Sequence, residues 1–179
     1  MDKRVPRDAT AENSRPAVSE CLKHTTLGTH SLENYEPLIG RQAVRRIQTK
    51  ADALKHLRVA HISSTFYGGG VAEILTPLTL LMNAIGVETV WHLIQGTPAF
   101  FGCTKMLHNA LQGAPLTLTD EQRTIYEEVA EQNSMRLHLE SRDTVIVHDP
   151  QPLPLIRAYA GWTAPRIWQC HIDLSTPAP

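Results

Sequence analysis

A chain of 179 residues, 42% hydrophobic and 20% charged, is long enough for one domain with its own core and too short for two large ones. Its formal net charge of -1, with basic residues scattered along the sequence, gives no electrostatic basis for nucleic acid or an anionic membrane as partner. The three cysteines, Cys21, Cys103 and Cys170, make neither a CxxC pair nor an even framework; they read as free thiols of a reducing compartment, not as a disulfide scaffold or a zinc ribbon.

Residues 1–32 are rich in Ser, Thr, Pro and charge and have no apolar core of the kind a secretory signal carries, so they read as a mobile leader. Residues 33–179 form the domain. A helical pattern starts near Arg41, with Val44, Ile47, Ala51 and Leu54 at three- and four-residue spacing. The period then changes, and residues 57–62 predict a short buried strand running into the Ser-Ser-Thr-Phe-Tyr-Gly-Gly-Gly segment, 63–70. From Val71 a second helix carries Ile74, Leu75, Leu78, Leu81 and Met82, and Gly86 stops it; Pro77 marks either a kink or a local break. This is the most apolar stretch, but Glu73, Pro77 and Asn83 interrupt it and it is too short to span a bilayer, so a soluble, cytoplasmic protein is expected.

Residues 87–94 predict the next strand and residues 98–111 a helix closed by Gly113. Thr119 then caps a longer helix, with Gln122 where a capping box requires it. The clearest strand is 143–148, followed by a turn shaped by Pro150, Pro152 and Pro154 and a short helix over 153–160. A last strand covers 166–172, with no helix after it. Strands alternating with helices define an α/β class and a doubly wound parallel sheet, Rossmann-like in plan.

Ligands of such sheets bind outside the carboxyl ends of the strands, which singles out three polar clusters. The first is 63–70. Its glycines let backbone N–H groups approach an anion at a helix N-terminus, although the triplet alone reads equally well as a tight turn of positive φ. It is neither GxGxxG nor a P-loop, which disfavours a dehydrogenase or a nucleoside triphosphatase. The second is His148-Asp149-Pro150-Gln151, where an imidazole, a carboxylate and an amide offer donors and acceptors for sugar hydroxyls; a turn cap and a packed histidine are the plainer alternative. The third is His171 and Asp173, which with the second also match a metal site by residue type but not by spacing. His61 reads as a core or sheet-face residue, and Trp91, Trp162 and Trp168 as packing for core or rim.

The segments HISSTFYGGGVAEIL, GTPAFFGCTKMLHNALQG, VIVHDPQPLPLI and WQCHIDLSTP, in this order, resemble the trehalose glycosyltransferring synthases. The resemblance implies the N-terminal, acceptor-side half of a retaining enzyme of two Rossmann domains, incomplete at its C-terminus. It implies transfer of glucose from a nucleoside diphosphate glucose to glucose, giving trehalose, without a cofactor or metal. Partners would be glucose or trehalose, and a donor sugar nucleotide held by a further domain; nucleic acid and membrane are not implied, and a homodimer is allowed for. By motif, His148 and Asp149 take the catalytic positions, and Gly69, Gly70, Gln151, His171 and Asp173 bind substrate. A same-face displacement then needs no protein nucleophile, only positioning and stabilisation of the leaving group's charge. A trehalose phosphorylase, a non-catalytic sugar-binding domain and a metal-dependent hydrolase stand as alternatives.

Overall fold

The computed structural model describes residues 31–159 and 161–178 and builds them on a four-stranded parallel sheet. After a 3-10 turn at Leu32–Tyr35 come helices α1 (Glu36–Ile39) and α2 (Arg41–Asp52), strand β1 (Arg58–Ser63), helix α3 (Gly70–Ala84) and strand β2 (Glu88–Leu93). Helices α4 (Pro98–Leu111) and α5 (Asp120–Leu137), a 3-10 turn at Leu139–Ser141, strand β3 (Thr144–His148), helix α6 (Leu155–Ala158) and strand β4 (Arg166–Gln169) complete the chain. Apart from Ser31 and Leu32, the leader expected over 1–32 lies outside the described residues.

The strand order is β2-β1-β3-β4. From β1 the chain steps to β2 on one side, then returns to β3 on the other. The carboxyl ends of β1 and β3 therefore flank a topological switch point, where a doubly wound sheet leaves a crevice. Register places Ala60, Val90 and Val145 in one row and His61, Trp91 and Ile146 in the next, so successive rows face opposite sides.

On one side Ala60, Ile62, Val90, Val145 and Val147 pack with Phe100, Val129, Leu137 and Leu155. On the other, Trp91 packs with Ala72 and Leu75 of α3. Helices on both faces bury β1 from Val59 through Ser63. Each fully buried aliphatic or aromatic side chain contributes about 1.5–3 kcal/mol, which makes these rows the main source of stability. A central strand covered on both faces is normally an unbroken apolar run. His61, 2% exposed, breaks it.

Helix starts follow the sequence. The Thr119 hydroxyl accepts from Gln122 N at 3.2 Å while Gln122 Oε1 accepts from Thr119 N at 3.0 Å, completing the capping box. Thr97, which carries no such box, also caps α4 by accepting from Phe100 N at 3.2 Å. Helix α3 continues through Pro77 without a break.

Two elements are shorter than their periodicity predicts. Turns closed by Leu153 N on Pro150 O and by Leu155 N on Pro152 O take up the first residues assigned to α6. Strand β4 stops at Gln169 because its partner β3 stops at His148, leaving residues 170–172 without a neighbouring strand.

The edge strand β2 is closed by side chains. Asn83 of α3 donates to Thr89 O at 2.8 Å and accepts from Thr89 N at 3.1 Å. Asn133 of α5, 2% exposed, treats Gln95 in the same way, accepting from its N at 2.8 Å and donating to its O at 2.7 Å. The Arg136 guanidinium takes the Leu93 carbonyl between them. Two amides and a guanidinium thus supply, along β2 and just past its end, pairing that a further strand would have given.

Candidate functional site

At the switch point lies a cleft of about 200 Å³, lined by residues 63–65 and 68–71 after β1 and by His148, Asp149 and Gln151 after β3. The glycine loop enters it in a conformation open to glycine above other residues: Gly68 has φ 72° and Gly69 φ 92°. Gly69 is the N-cap of α3, and no side chain caps it. Unpaired N–H groups in the first turn and the helix dipole therefore give this wall of the cleft positive character.

The opposite wall is strained. Asp149 sits at φ 62°, a left-handed conformation that costs an L-residue roughly 1–2 kcal/mol. Three hydrogen bonds hold it there: Asp149 N donates to Gln169 O at 3.0 Å, Trp168 Nε1 to Asp149 O at 3.0 Å, and His171 N to Asp149 Oδ1 at 2.7 Å. The Tyr126 hydroxyl, donating to Pro150 O, anchors the next residue to α5. Gln151 brings a buried Oε1 that meets no hydrogen-bond donor among the described residues. Strain at a held turn and a buried acceptor left open are features that a bound ligand accounts for.

Behind the cleft three imidazoles are joined end to end. His61 Nδ1 lies 2.9 Å from His148 Nε2, and His148 Nδ1 lies 2.9 Å from His171 Nε2. Adjacent rings stack with centroids 5.2 Å apart and planes 23° apart in both pairs. Burial pushes His61 down to about 4. Burial, together with the neighbouring imidazoles of His61 and His171, pushes His148 down to about 3. Both are therefore neutral at pH 7.

The residues singled out in the sequence meet at this place with one exception. Gly69, Gly70, His148, Asp149 and Gln151 line the cleft, and His171 adjoins it through its bonds to His148 and Asp149. Asp173 is exposed, and its carboxylate is taken up by Ser175, accepting from Ser175 N at 2.9 Å and Oγ at 2.6 Å. His148 is 1% exposed with both ring nitrogens engaged by other histidines. Among the described residues no group of three or more His, Cys, Asp or Glu is arranged to hold a metal ion. What sequence reasoning missed is the link from His61 to His148; the polar ring in an otherwise apolar central strand was the available signal. Trp91 is core, at 1% exposed, whereas Trp168 is rim and holds the Asp149 carbonyl.

A parallel α/β sheet with its polar groups gathered at a topological switch point defines a Rossmann-like domain. The chain belongs to the trehalose synthase family: the family described as "Trehalose synthase, N-terminal domain" matches residues 61–179. It is 46% identical over 157 residues to a trehalose synthase of Pyrococcus horikoshii, a match covering 87% of this chain and 38% of that protein. It is 43% identical over 161 residues to a trehalose synthase of Rubrobacter xylanophilus, again 87% and 38% of the two chains. A trehalose phosphorylase of Pleurotus pulmonarius is 31% identical over 158 residues, 80% of this chain and 21% of the relative. The matches thus span well under half the length of these relatives. No helix among the described residues is long and apolar enough to cross a membrane.

Proposed function

We propose that the cleft is the acceptor-side wall of a glycosyl-transfer site, in which glucose from a nucleoside diphosphate glucose is passed to glucose, forming trehalose with retention. The observation that carries this reading is the pairing across one cleft of an uncapped helix N-terminus with a strained Asp149 and an open Gln151 acceptor. The first suits the diphosphate of a leaving group, whose growing charge the α3 dipole and loop N–H groups stabilise. The second suits hydroxyls, which donate to the Asp149 carboxylate and to Gln151 Oε1.

Asp149 then orients the acceptor sugar, and Gln151 its neighbouring hydroxyl. His148, with both nitrogens occupied, acts by holding His171 in place. Gly69 and Gly70 admit the diphosphate, and Asp173 shapes the turn after β4. In a same-face displacement the departing diphosphate oxygen takes the acceptor's proton, so the protein supplies position and charge stabilisation but no covalent nucleophile. The nucleotide would be held by residues beyond the match to this chain. Residues 33–179 act as the acceptor domain in this reading, with residues 1–32 as a leader outside it.

Phosphorolysis is the second reading, favoured by the phosphorylase match over 80% of the chain. One assay divides them. The chain, alone and with a separately supplied C-terminal domain of a matched synthase, is incubated with nucleoside diphosphate glucose and glucose, or with trehalose and inorganic phosphate. Trehalose formed only from the sugar nucleotide in the completed mixture supports synthesis; phosphate-dependent loss of trehalose supports the second reading. Absence of glucose or trehalose binding in every mixture refutes both.

A further inference from the structure

The histidine chain has one blind end and one open end. At the blind end, His61 Nε2 is buried and meets no hydrogen-bond partner among the described residues. At the other, His171 is partly exposed, and its Nδ1 is neither buried without a partner nor bonded to any of the described residues. Between them, two contacts of 2.9 Å each need one donor and one acceptor.

Three neutral imidazoles satisfy both contacts in only two ways. If every proton sits on Nδ1, His61 donates to His148, His148 donates to His171, and the orphan at the blind end is a lone pair. If every proton sits on Nε2, the direction reverses, and the orphan is a buried N–H with nothing to donate to. Buried N–H groups without partners are the rarer and costlier kind, so the first order is favoured. The low proton affinity that burial imposes on His61 and His148 keeps the inner rings neutral.

We infer that His61, His148 and His171 form a directed donor chain that fixes His171 as the Nδ1–H tautomer and thereby presents a hydrogen-bond donor of set polarity beside Asp149. His61 and His148 are positioning residues in this scheme, and His171 is the group that meets an oxygen acceptor of the ligand. The role of that donor rests on the cleft being the sugar site proposed above; the tautomer itself does not.

The test is nitrogen NMR of the whole chain with ¹⁵N-labelled histidine at pH 7.5, which distinguishes protonated from bare ring nitrogens. Of the nine histidines, His61, His148 and His171 are expected to show a protonated Nδ1 and a bare Nε2. A protonated Nε2 on His171, or a fast average of both forms, overturns the inference from the wild-type spectrum alone. His148→Leu should release His171 into averaging. His148→Asn, whose amide nitrogen stands where Nδ1 stood, should restore the fixed form; equal spectra for the two variants count against a directed chain. Addition of trehalose is then a separate readout. No shift at His171 with the tautomer intact sinks the sugar-site reading and leaves the donor chain standing.

Discussion

Acidifying the protein from pH 8 to pH 5 charges the histidines of the unfolded chain but leaves His61 and His148 neutral in the fold. Their folded values, about 4 and about 3, lie below the ordinary 6.5 of an unfolded histidine. The unfolded state therefore binds protons that the native state refuses, and stability present above pH 6.5 is lost as pH falls towards those folded values. At pH 5 each imidazole removes about 2 kcal/mol relative to pH 8, from 1.36 kcal/mol per unit of pKa difference crossed. Together they remove about 4 kcal/mol, a large share of the 5–15 kcal/mol of a typical domain. His92, lowered to about 4 by burial and by Arg142 and Arg136, adds in the same direction. Urea unfolding across pH 5 to 8 measures this directly, with a slope approaching two to three protons below pH 6. His61→Leu should reduce that slope by about one proton. A stability change under about 1 kcal/mol between pH 8 and pH 5 would refute the claim that these rings are buried and neutral.

Three further outcomes follow from the geometry. Asn133→Ala removes the amide that pairs both backbone groups of Gln95 and should cost about 2 kcal/mol in urea melts, with unchanged far-ultraviolet circular dichroism. Gly69→Ala places a Cβ at φ 92° and should cost about 1–2 kcal/mol while weakening sugar-nucleotide binding in the mixture with a matched synthase's C-terminal domain; since open space surrounds that Cβ, any loss reflects backbone strain and not a clash. Asp149→Gly relieves about 1 kcal/mol of left-handed strain against roughly 2 kcal/mol lost with the His171 N–H bond, so thermal stability should move little while glucose affinity falls at least tenfold by calorimetry.

Much of this architecture was legible because the signals are local. The capping box at Thr119, the glycine stop at Gly86 and the β-branched run before His148 each act within a few residues, and each appears in the structure. The switch-point rule then carried the glycine loop and the residues after β3 into one cleft. The joining of His61 to His148 was not legible, because it depends on register between strands 87 residues apart. The same holds for Asn133 and Gln95, 38 residues apart. Asp173 is the opposite case: its bond to Ser175, two residues on, is a local side-chain turn that competes with any role in a site. The lengths of α6 and β4 were misjudged because apolar periodicity does not register where a partner strand ends or where prolines impose turns.

The asparagine clasps on β2 give the sheet a polarity of growth. An incoming strand at that edge would have to displace Asn83, Arg136 and Asn133 from the carbonyls and amides they already occupy, so strand exchange and fibril-like stacking are resisted there by groups bonded to the backbone itself. The β4 side bears no such clasp among the described residues, and Ile167 and Trp168 stand 47% and 38% exposed along it. Any strand added to this sheet is thereby directed to the β4 margin and away from β2.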